Sequence, residues 1–214
     1  MRHRAILRGA ARRVAKAAET TTDALSDRRV EHEPQFTDRM LGRIEQAMSA
    51  YEAKGVRWTA KTLTSNVRES QEQKFGADFI GSLDIALPDY SIRKGFLAQA
   101  KRVEPTDRFS AGRYEELREQ CRRMLQVSPD AYVFLYATSG ITIVPANAVV
   151  AAQRLNPHDL YSRGVAAFFE LHFSSFIGDR AISVPSIDLL EELLRRFEAR
   201  SVIGLHAREA EETV

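Results

Sequence analysis

Residues 76–101 read GADFIGSLDIALPDYSIRKGFLAQAK, and this stretch decides the fold prediction. A first apolar run is bounded by Gly76 in front and by Pro88-Asp89 behind, and a second run begins after Lys94-Gly95. Short apolar runs separated by Pro, Asp and Gly are typical of β-strands joined by turns. The stretch therefore predicts a β-hairpin.

Strand geometry determines which side chains of this hairpin can meet, because residues two apart share a face. Gln99 and Lys101 then lie on one face of the second strand, while Ala98 and Ala100 lie on the other, where their small size lets a helix pack closely. Burying a Gln and a Lys is costly unless polar partners are present. A carboxylate on the first strand, such as Asp78, would be such a partner, so we expect a polar site here.

The order of these residues resembles the PD-(D/E)XK nuclease superfamily, and within it the Mrr-like branch in which Gln replaces the acid before X-Lys. The matching segments are Gly76-Ala77-Asp78 and Gln99-Ala100-Lys101, and the resemblance spans roughly residues 36–150. It implies a three-layer α/β/α, restriction-endonuclease-like core with a mixed sheet. The alternation of strands and helices along the chain favours an α/β class independently.

The resemblance also implies a Mg²⁺ site, with Mn²⁺ as a substitute, in which Asp78 and Gln99 are ligands and Lys101 assists the attacking water. An acid from a preceding helix completes such sites. Glu72 is the first candidate for both a catalytic and a metal-binding role, with Glu69 second and Glu45 third. The number of ions stays open. Asp84 shares the face of Asp78 but lies ~20 Å further along, at ~3.3 Å per residue, and is left out.

The implied activity is that of a Mg²⁺-dependent endodeoxyribonuclease, of a restriction or phage-defence kind, with DNA as partner. Two other functions stay open: a nucleic-acid-binding module that has lost catalysis, and an interaction subunit of a defence complex. The latter would dock through a basic N-terminal arm and an amphipathic C-terminal helix.

Composition limits where nucleic acid could bind. The net charge of +2 is nearly balanced, so a local patch must supply the positive field. The predicted helix at residues 113–126 and the loop before it carry the candidate residues, which are Arg102, Arg108, Arg113, Arg118 and Arg122. Glu115 and Glu119 could instead neutralise these arginines at helical spacing.

The single cysteine, Cys121, cannot form an internal disulfide, which suits a reducing compartment. No apolar run approaches the ~20 residues that a membrane span needs. We therefore expect a soluble, cytoplasmic protein.

Four segments are expected along the chain. Residues 1–33 form a basic arm and linker, for which a phosphate-binding role, a transit peptide and a weakly helical surface segment all stay open. Residues 34–155 form the core, 156–206 a C-terminal helical extension packed on it, and 207–214 a disordered acidic tail.

Further helices are expected at residues 36–51, ending at Lys54-Gly55, and at 59–73, 164–176 and 186–197, with strands at 131–136 and 141–144 and a short helix from Pro145. The apolar stripe of the 186–197 helix needs a partner, either this domain or a second copy.

Overall fold

The computed structural model describes residues 2–23, 32–65, 75–152 and 156–210. The helices and strands are, in chain order, α1 (Arg2–Glu19), α2 (Glu33–Met48), β1 (Glu52–Ala53), β2 (Val56–Thr64), β3 (Phe79–Leu87), β4 (Tyr90–Arg102), α3 (Ala111–Val127), β5 (Ala131–Ala137), β6 (Gly140–Pro145), α4 (Ala146–Ala151), β7 (Arg163–Gly164), α5 (Val165–Phe173), α6 (Leu190–Phe197) and β8 (Ser201–Glu209). Short 3-10 helices occupy Pro157–Asp159 and Ile187–Leu189.

The strands form one mixed sheet in the order β1-β2-β8-β3-β4-β5-β6-β7. The hairpin of β3 and β4 lies at its centre, antiparallel, with Phe79 opposite Ala98 and Leu87 opposite Tyr90. β8 runs parallel to β3, and β5 runs parallel to β4. The hairpin is therefore flanked by a strand on each side, and β3 and residues 94–101 of β4 are almost entirely buried.

Helices cover both faces of the sheet and create two apolar cores. One core joins α1, α2 and α5 to side chains such as Phe79, Phe96 and Phe134. The other joins α3, α4 and α6 to side chains such as Ile80 and Leu97. The predicted three-layer α/β/α class is thus confirmed. None of the described helices is long and apolar enough to cross a membrane.

The predicted hairpin is confirmed with one change in its limits. The turn lies at Pro88-Asp89, and β4 begins directly after it at Tyr90, so Lys94 and Gly95 are buried inside the strand rather than outside it. A Cβ on Gly95 would lie only 2.0 Å from the carbonyl oxygen of Ile182. The segment after α5 therefore crosses the sheet where β4 carries no side chain.

The helix expected at residues 59–73 is wrong over residues 59–64, because Val56–Thr64 is the strand β2, while residues 66–73 lie outside the described part. Val56, Trp58 and Ala60 are buried while Arg57 and Thr59 between them are exposed, which is the two-residue period of a half-buried strand. Lys54-Gly55, expected to end a helix, forms the turn into this strand, and both residues have positive φ angles. Helix α2 ends earlier, at Met48.

The end of the chain was also predicted wrongly. Residues 201–209 form β8, which inserts between β2 and β3, so residues 207–209 belong to the sheet and not to a disordered tail. Residues 211–214 lie outside the described part. The helix predicted after Ser186 is confirmed as α6, but its apolar side chains, Leu190, Leu193, Leu194 and Phe197, are buried in this chain's own core. That stripe is not available to a second copy or to another protein.

The basic N-terminal segment is an integral part of the domain. Residues 2–19 form a helix whose apolar side chains, including Ile6, Leu7 and Val14, are almost fully buried against α2 and α5. Arg13 ties α1 to α2 by donating to the carbonyl oxygen of Ala47 at 2.6 Å. The expectation of a separate basic arm or a weakly helical surface segment is therefore wrong for residues 2–19. They form a helix that packs in the core and has basic residues on its outer side.

This correction predicts a large effect of truncating Leu7. Leu7 is 3% exposed, so Leu7→Ala should lower the free energy of unfolding by about 2–5 kcal/mol through lost burial and a residual cavity. Lys16→Ala on the exposed side of the same helix should change it by less than about 0.5 kcal/mol. Urea denaturation followed by circular dichroism measures both, and equal effects would contradict the packing of α1.

Candidate functional site

Asp78 lies immediately before β3, at a point where three strands meet. Its backbone N–H donates to the carbonyl oxygen of Ala98 on β4 at 2.8 Å. Its own carbonyl oxygen accepts from the backbone N–H groups of Arg200 and Ser201, each at 3.1 Å, where β8 begins. The position of Asp78 is therefore fixed from both sides.

The side chains of Asp78 and Gln99 meet as the strand geometry predicted. Asp78 Oδ2 accepts from Gln99 Nε2 at 2.5 Å and from the backbone N–H of Ala100 at 2.7 Å. Gln99 Nε2 also donates to the carbonyl oxygen of Ala100, so both donors of the amide face protein oxygens. Its Oε1 atom is buried and has no hydrogen-bond partner among the residues that the structure describes.

Lys101 lies two residues beyond Gln99 on the same face of β4. Its side chain is only 11% exposed, and its Nζ lies 3.9 Å from Glu33 Oε2 and 3.7 Å from Glu116 Oε1. Ala98 and Ala100 lie on the opposite face, in the core that contains α1 and α2. The predicted separation of a polar face from a small-residue face is confirmed.

Glu33 is the residue that sequence reasoning missed. It is the first residue of α2, and its Oε1 atom accepts the backbone N–H of Arg102 at 2.8 Å while Oε2 faces Lys101. An acid in the first helical turn next to a Pro is a standard signal for a helix start, because the positive end of the helix dipole stabilises the negative charge. Glu33-Pro34 carries this signal, at the point where the sequence also predicts the boundary of the core domain.

The three acids predicted to complete the site have different outcomes. Glu72 and Glu69 belong to residues 66–74, outside the described residues. Glu45 accepts the backbone N–H of Thr62 at 3.0 Å and so contacts β2 rather than the residues around Asp78. Asp84, excluded by its distance along the strand, is paired with Arg208 at 2.7 Å and lies near Arg93 at 3.7 Å.

The arginines predicted to bind nucleic acid occupy two kinds of environment. Arg118 and Arg122 form ion pairs with Glu115, each at 2.9 Å, and Arg122 also pairs with Glu119. The hydrogen bond from Arg122 lowers the pKa of Glu115, so this carboxylate stays charged. The intrahelical pairing that the sequence offered as an alternative is therefore present for these two.

The other three predicted arginines surround the loop after β4. Arg108 is exposed, and the guanidinium of Arg113 lies over the ring of Phe109 at 4.9 Å. Arg102 is half-buried and is held through its backbone by Glu33. These three residues remain the part of the predicted surface closest to Lys101 along the chain.

Other titratable groups near the site do not take part in it. Burial raises the pKa of the Cys121 thiol to about 12, despite the nearby Lys101, so the thiol stays protonated. His172 is buried among aromatic rings, which lowers its pKa to about 3 and keeps it neutral. His158 contacts the hydroxyl of Thr142 and the carbonyl oxygen of Val103. Neither histidine acts as a metal ligand in this arrangement.

The oxygen atoms at Asp78 and Gln99 fit the Mg²⁺ that the family resemblance implies. The buried Gln99 Oε1 atom lacks a hydrogen-bond partner among the described residues, and Mg²⁺ prefers such oxygen ligands, commonly one or two from protein plus several waters. Within the described ranges no group of three or more His, Cys, Asp or Glu side chains is arranged to hold a metal ion. If Mg²⁺ binds here, Asp78 and Gln99 would be its protein ligands and water would supply the others.

Comparison with known proteins adds no identification. The chain matches no protein-family model, no curated protein and no solved structure. The resemblance to PD-(D/E)XK nucleases therefore rests on the sequence segments that contain Asp78, Gln99 and Lys101.

The two hydrogen bonds accepted by Asp78 predict a stability difference between two substitutions. Asp78→Ala leaves the donors on Gln99 and Ala100 without an acceptor, which should lower the free energy of unfolding by about 1–3 kcal/mol. Asp78→Asn retains an acceptor oxygen and should cost clearly less. Urea unfolding curves of both variants test this, and an Asn variant as unstable as the Ala variant would contradict the proposed role of the oxygen.

Proposed function

We propose that this protein is a metal-dependent nuclease that hydrolyses DNA phosphodiester bonds at a site formed by Asp78, Gln99, Lys101 and Glu33. The observation that carries the proposal is the direct contact of Asp78 with Gln99 at the junction of three strands, with Lys101 on the same face. A carboxylate and an amide in direct contact, with an ammonium two residues further along the same face of β4, can hold a metal ion and stabilise negative charge during phosphodiester hydrolysis.

Each side chain has a distinct task in this proposal. Asp78 and Gln99 supply the oxygen ligands for Mg²⁺, which when bound offsets phosphate charge and lowers the pKa of a bound water. Lys101 orients the attacking water and stabilises negative charge on the phosphate. Its neighbours Glu33 and Glu116 hold the ammonium in position, since a largely buried cation needs anionic partners.

Removing the Lys101 ammonium should abolish most of the activity. We expect Lys101→Ala and Asp78→Asn each to reduce Mg²⁺-dependent nicking of plasmid DNA by ~100-fold or more, the usual scale for loss of such a group. Lys61→Ala, a more exposed lysine on β2, is the matched control and should cleave normally. Plasmid, single-stranded DNA and RNA incubated with Mg²⁺ or with a chelator distinguish the substrates.

Cleavage that persists in both folded variants would refute the assigned site. DNA binding without cleavage by the wild-type protein would favour the inactive binding module instead. One observation supports that alternative: the charge of Lys101 is already shared by two carboxylates of its own chain. A restriction or phage-defence role and a cytoplasmic location belong to the same proposal.

Glu33 should matter more than Glu116, although both lie near Lys101. Glu33 is the less exposed of the two and also holds the backbone of Arg102, whereas the Glu116 side chain is 61% exposed. We therefore expect Glu33→Gln to lower kcat by about 10-fold, below the ~100-fold or more for a group that transfers a proton itself, and Glu116→Gln to have a smaller effect. Equal kcat values in the two variants would contradict the proposed role of Glu33 in the site.

A further inference from the structure

We infer that the outer side of helices α1 and α2 is a docking surface for the phosphate backbone of duplex DNA. Five exposed basic residues form this basic face: Arg4, Arg12, Lys16, Arg39 and Arg43. The inference rests on the proposed function only in taking DNA as the polyanion. It assigns the binding surface to a part of the molecule other than the arginines of α3.

The sequence of α1 produces a row of basic side chains. Arg4, Arg8, Arg12 and Lys16 follow one another at four-residue intervals, so each is adjacent to the next on the helix surface. From Arg4 to Lys16 the row spans about 18 Å at 1.5 Å per residue, the length of about five phosphates spaced at 3.4 Å along one strand of DNA.

No described residue neutralises the charges of the basic face by forming an ion pair with them. Arg8 pairs with Glu170 at 3.0 Å, but none of the five residues of the basic face forms an ion pair with any residue that the structure describes. This distinguishes the basic face from α3, where Arg118 and Arg122 are paired within the helix. The sequence from residue 2 to residue 18 contains no acid.

α2 extends the row, because it packs beside α1 in the same layer and is tied to it by Arg13. Arg39 and Arg43 are one helical turn apart and exposed, while the neighbouring carboxylate of Glu45 is engaged with the backbone of Thr62. The exposed sides of both helices face away from the sheet, since their buried side chains join one core. Positive charge therefore continues across the two helices.

The basic face reaches the candidate site at one edge. α2 starts at Glu33 beside Lys101, so Arg39 and Arg43 follow about 9 and 15 Å along the helix axis. The last residue of α1, Glu19, lines a surface depression together with Pro105, four residues after Lys101. The side chains of Gln99 and Lys101 lie on the sheet face opposite to α1 and α2, so duplex DNA on the basic face meets the candidate site only at the end of β4, beside Glu33.

An anionic membrane is the less favourable partner, although it would also attract a basic helix. Surface-binding helices insert their apolar side into the lipid. In α1 that side, including Ile6, Leu7 and Val14, is buried in the protein core. Only electrostatic contact would remain, and the phosphates of a DNA backbone provide it without any insertion into lipid.

The test compares two triple variants of the full-length chain that remove equal charge. One carries Arg4→Gln, Arg12→Gln and Lys16→Gln, since Gln retains helix propensity. The control carries Arg57→Gln, Lys61→Gln and Arg195→Gln, three basic residues away from the basic face. Fluorescence polarisation with a 25-base-pair duplex in chelator, from 50 to 250 mM salt, measures Kd and its salt dependence, and circular dichroism confirms folding.

We expect the first triple variant to bind DNA ~10- to 100-fold more weakly than wild type, with a log–log salt slope smaller by about two to three. The control should bind within about threefold of wild type. Equal losses in the two triples, no loss in the first, or no duplex binding by wild type would overturn the inference. Tighter binding of wild type to phosphatidylserine vesicles than to the duplex, lost in the first triple, would also overturn it.

Cleavage assays on the same proteins separate this inference from the proposed function. Normal cleavage together with unchanged DNA binding in the first triple would overturn the basic face and leave the nuclease proposal intact. Weakened binding in that triple, with no cleavage by wild type under any condition, would support the basic face and overturn the nuclease proposal.

Discussion

The candidate site depends on how Asp78 is held by two neighbouring strands as β3 begins. β4 contacts it through the carbonyl oxygen of Ala98 and the N–H of Ala100, and the start of β8 contacts it through the N–H groups of Arg200 and Ser201. The last strand of the chain is therefore part of the support of a residue 122 positions earlier. Because β8 is inserted between β2 and β3, the carboxylate reaches its final position only when the centre of the sheet is complete.

The sequence predicted correctly those strands whose signals lie within a few residues. It did not predict β8, which pairs with strands that are distant in the chain. The β3–β4 hairpin is bounded by its own turn at Pro88-Asp89, and β5 is a short apolar run, so both are evident within a few residues. β8 follows an amphipathic helix and ends among charged residues. It becomes a strand because β2 and β3 both pair with it, and strand preference depends strongly on such context.

The same distinction applies to the site. The alternation of side chains along a strand correctly predicted the contact of Asp78 with Gln99 and the position of Lys101 on the same face of β4 as Gln99, because this two-residue period is fixed by covalent geometry. The alternation of side chains along β4 gives no information about which helix lies at the end of that strand. The start of α2 lies there and contributes Glu33, a residue 68 positions before Lys101, and only the packing of α2 on the sheet reveals it.

Gln99 gives this site a different electrostatic balance from one built on two acids. At 2.5 Å from Asp78 Oδ2, a second carboxylate would repel the first, and one of the two would hold a proton unless a cation lay between them. The amide instead donates to Asp78, and Lys101 is balanced by Glu33 and Glu116. The contact between Asp78 and Gln99 therefore needs no cation between the two side chains. In the proposed nuclease, replacing an acid by an amide would weaken the attraction for a metal ion by one negative charge and in return would position Asp78 before the ion binds.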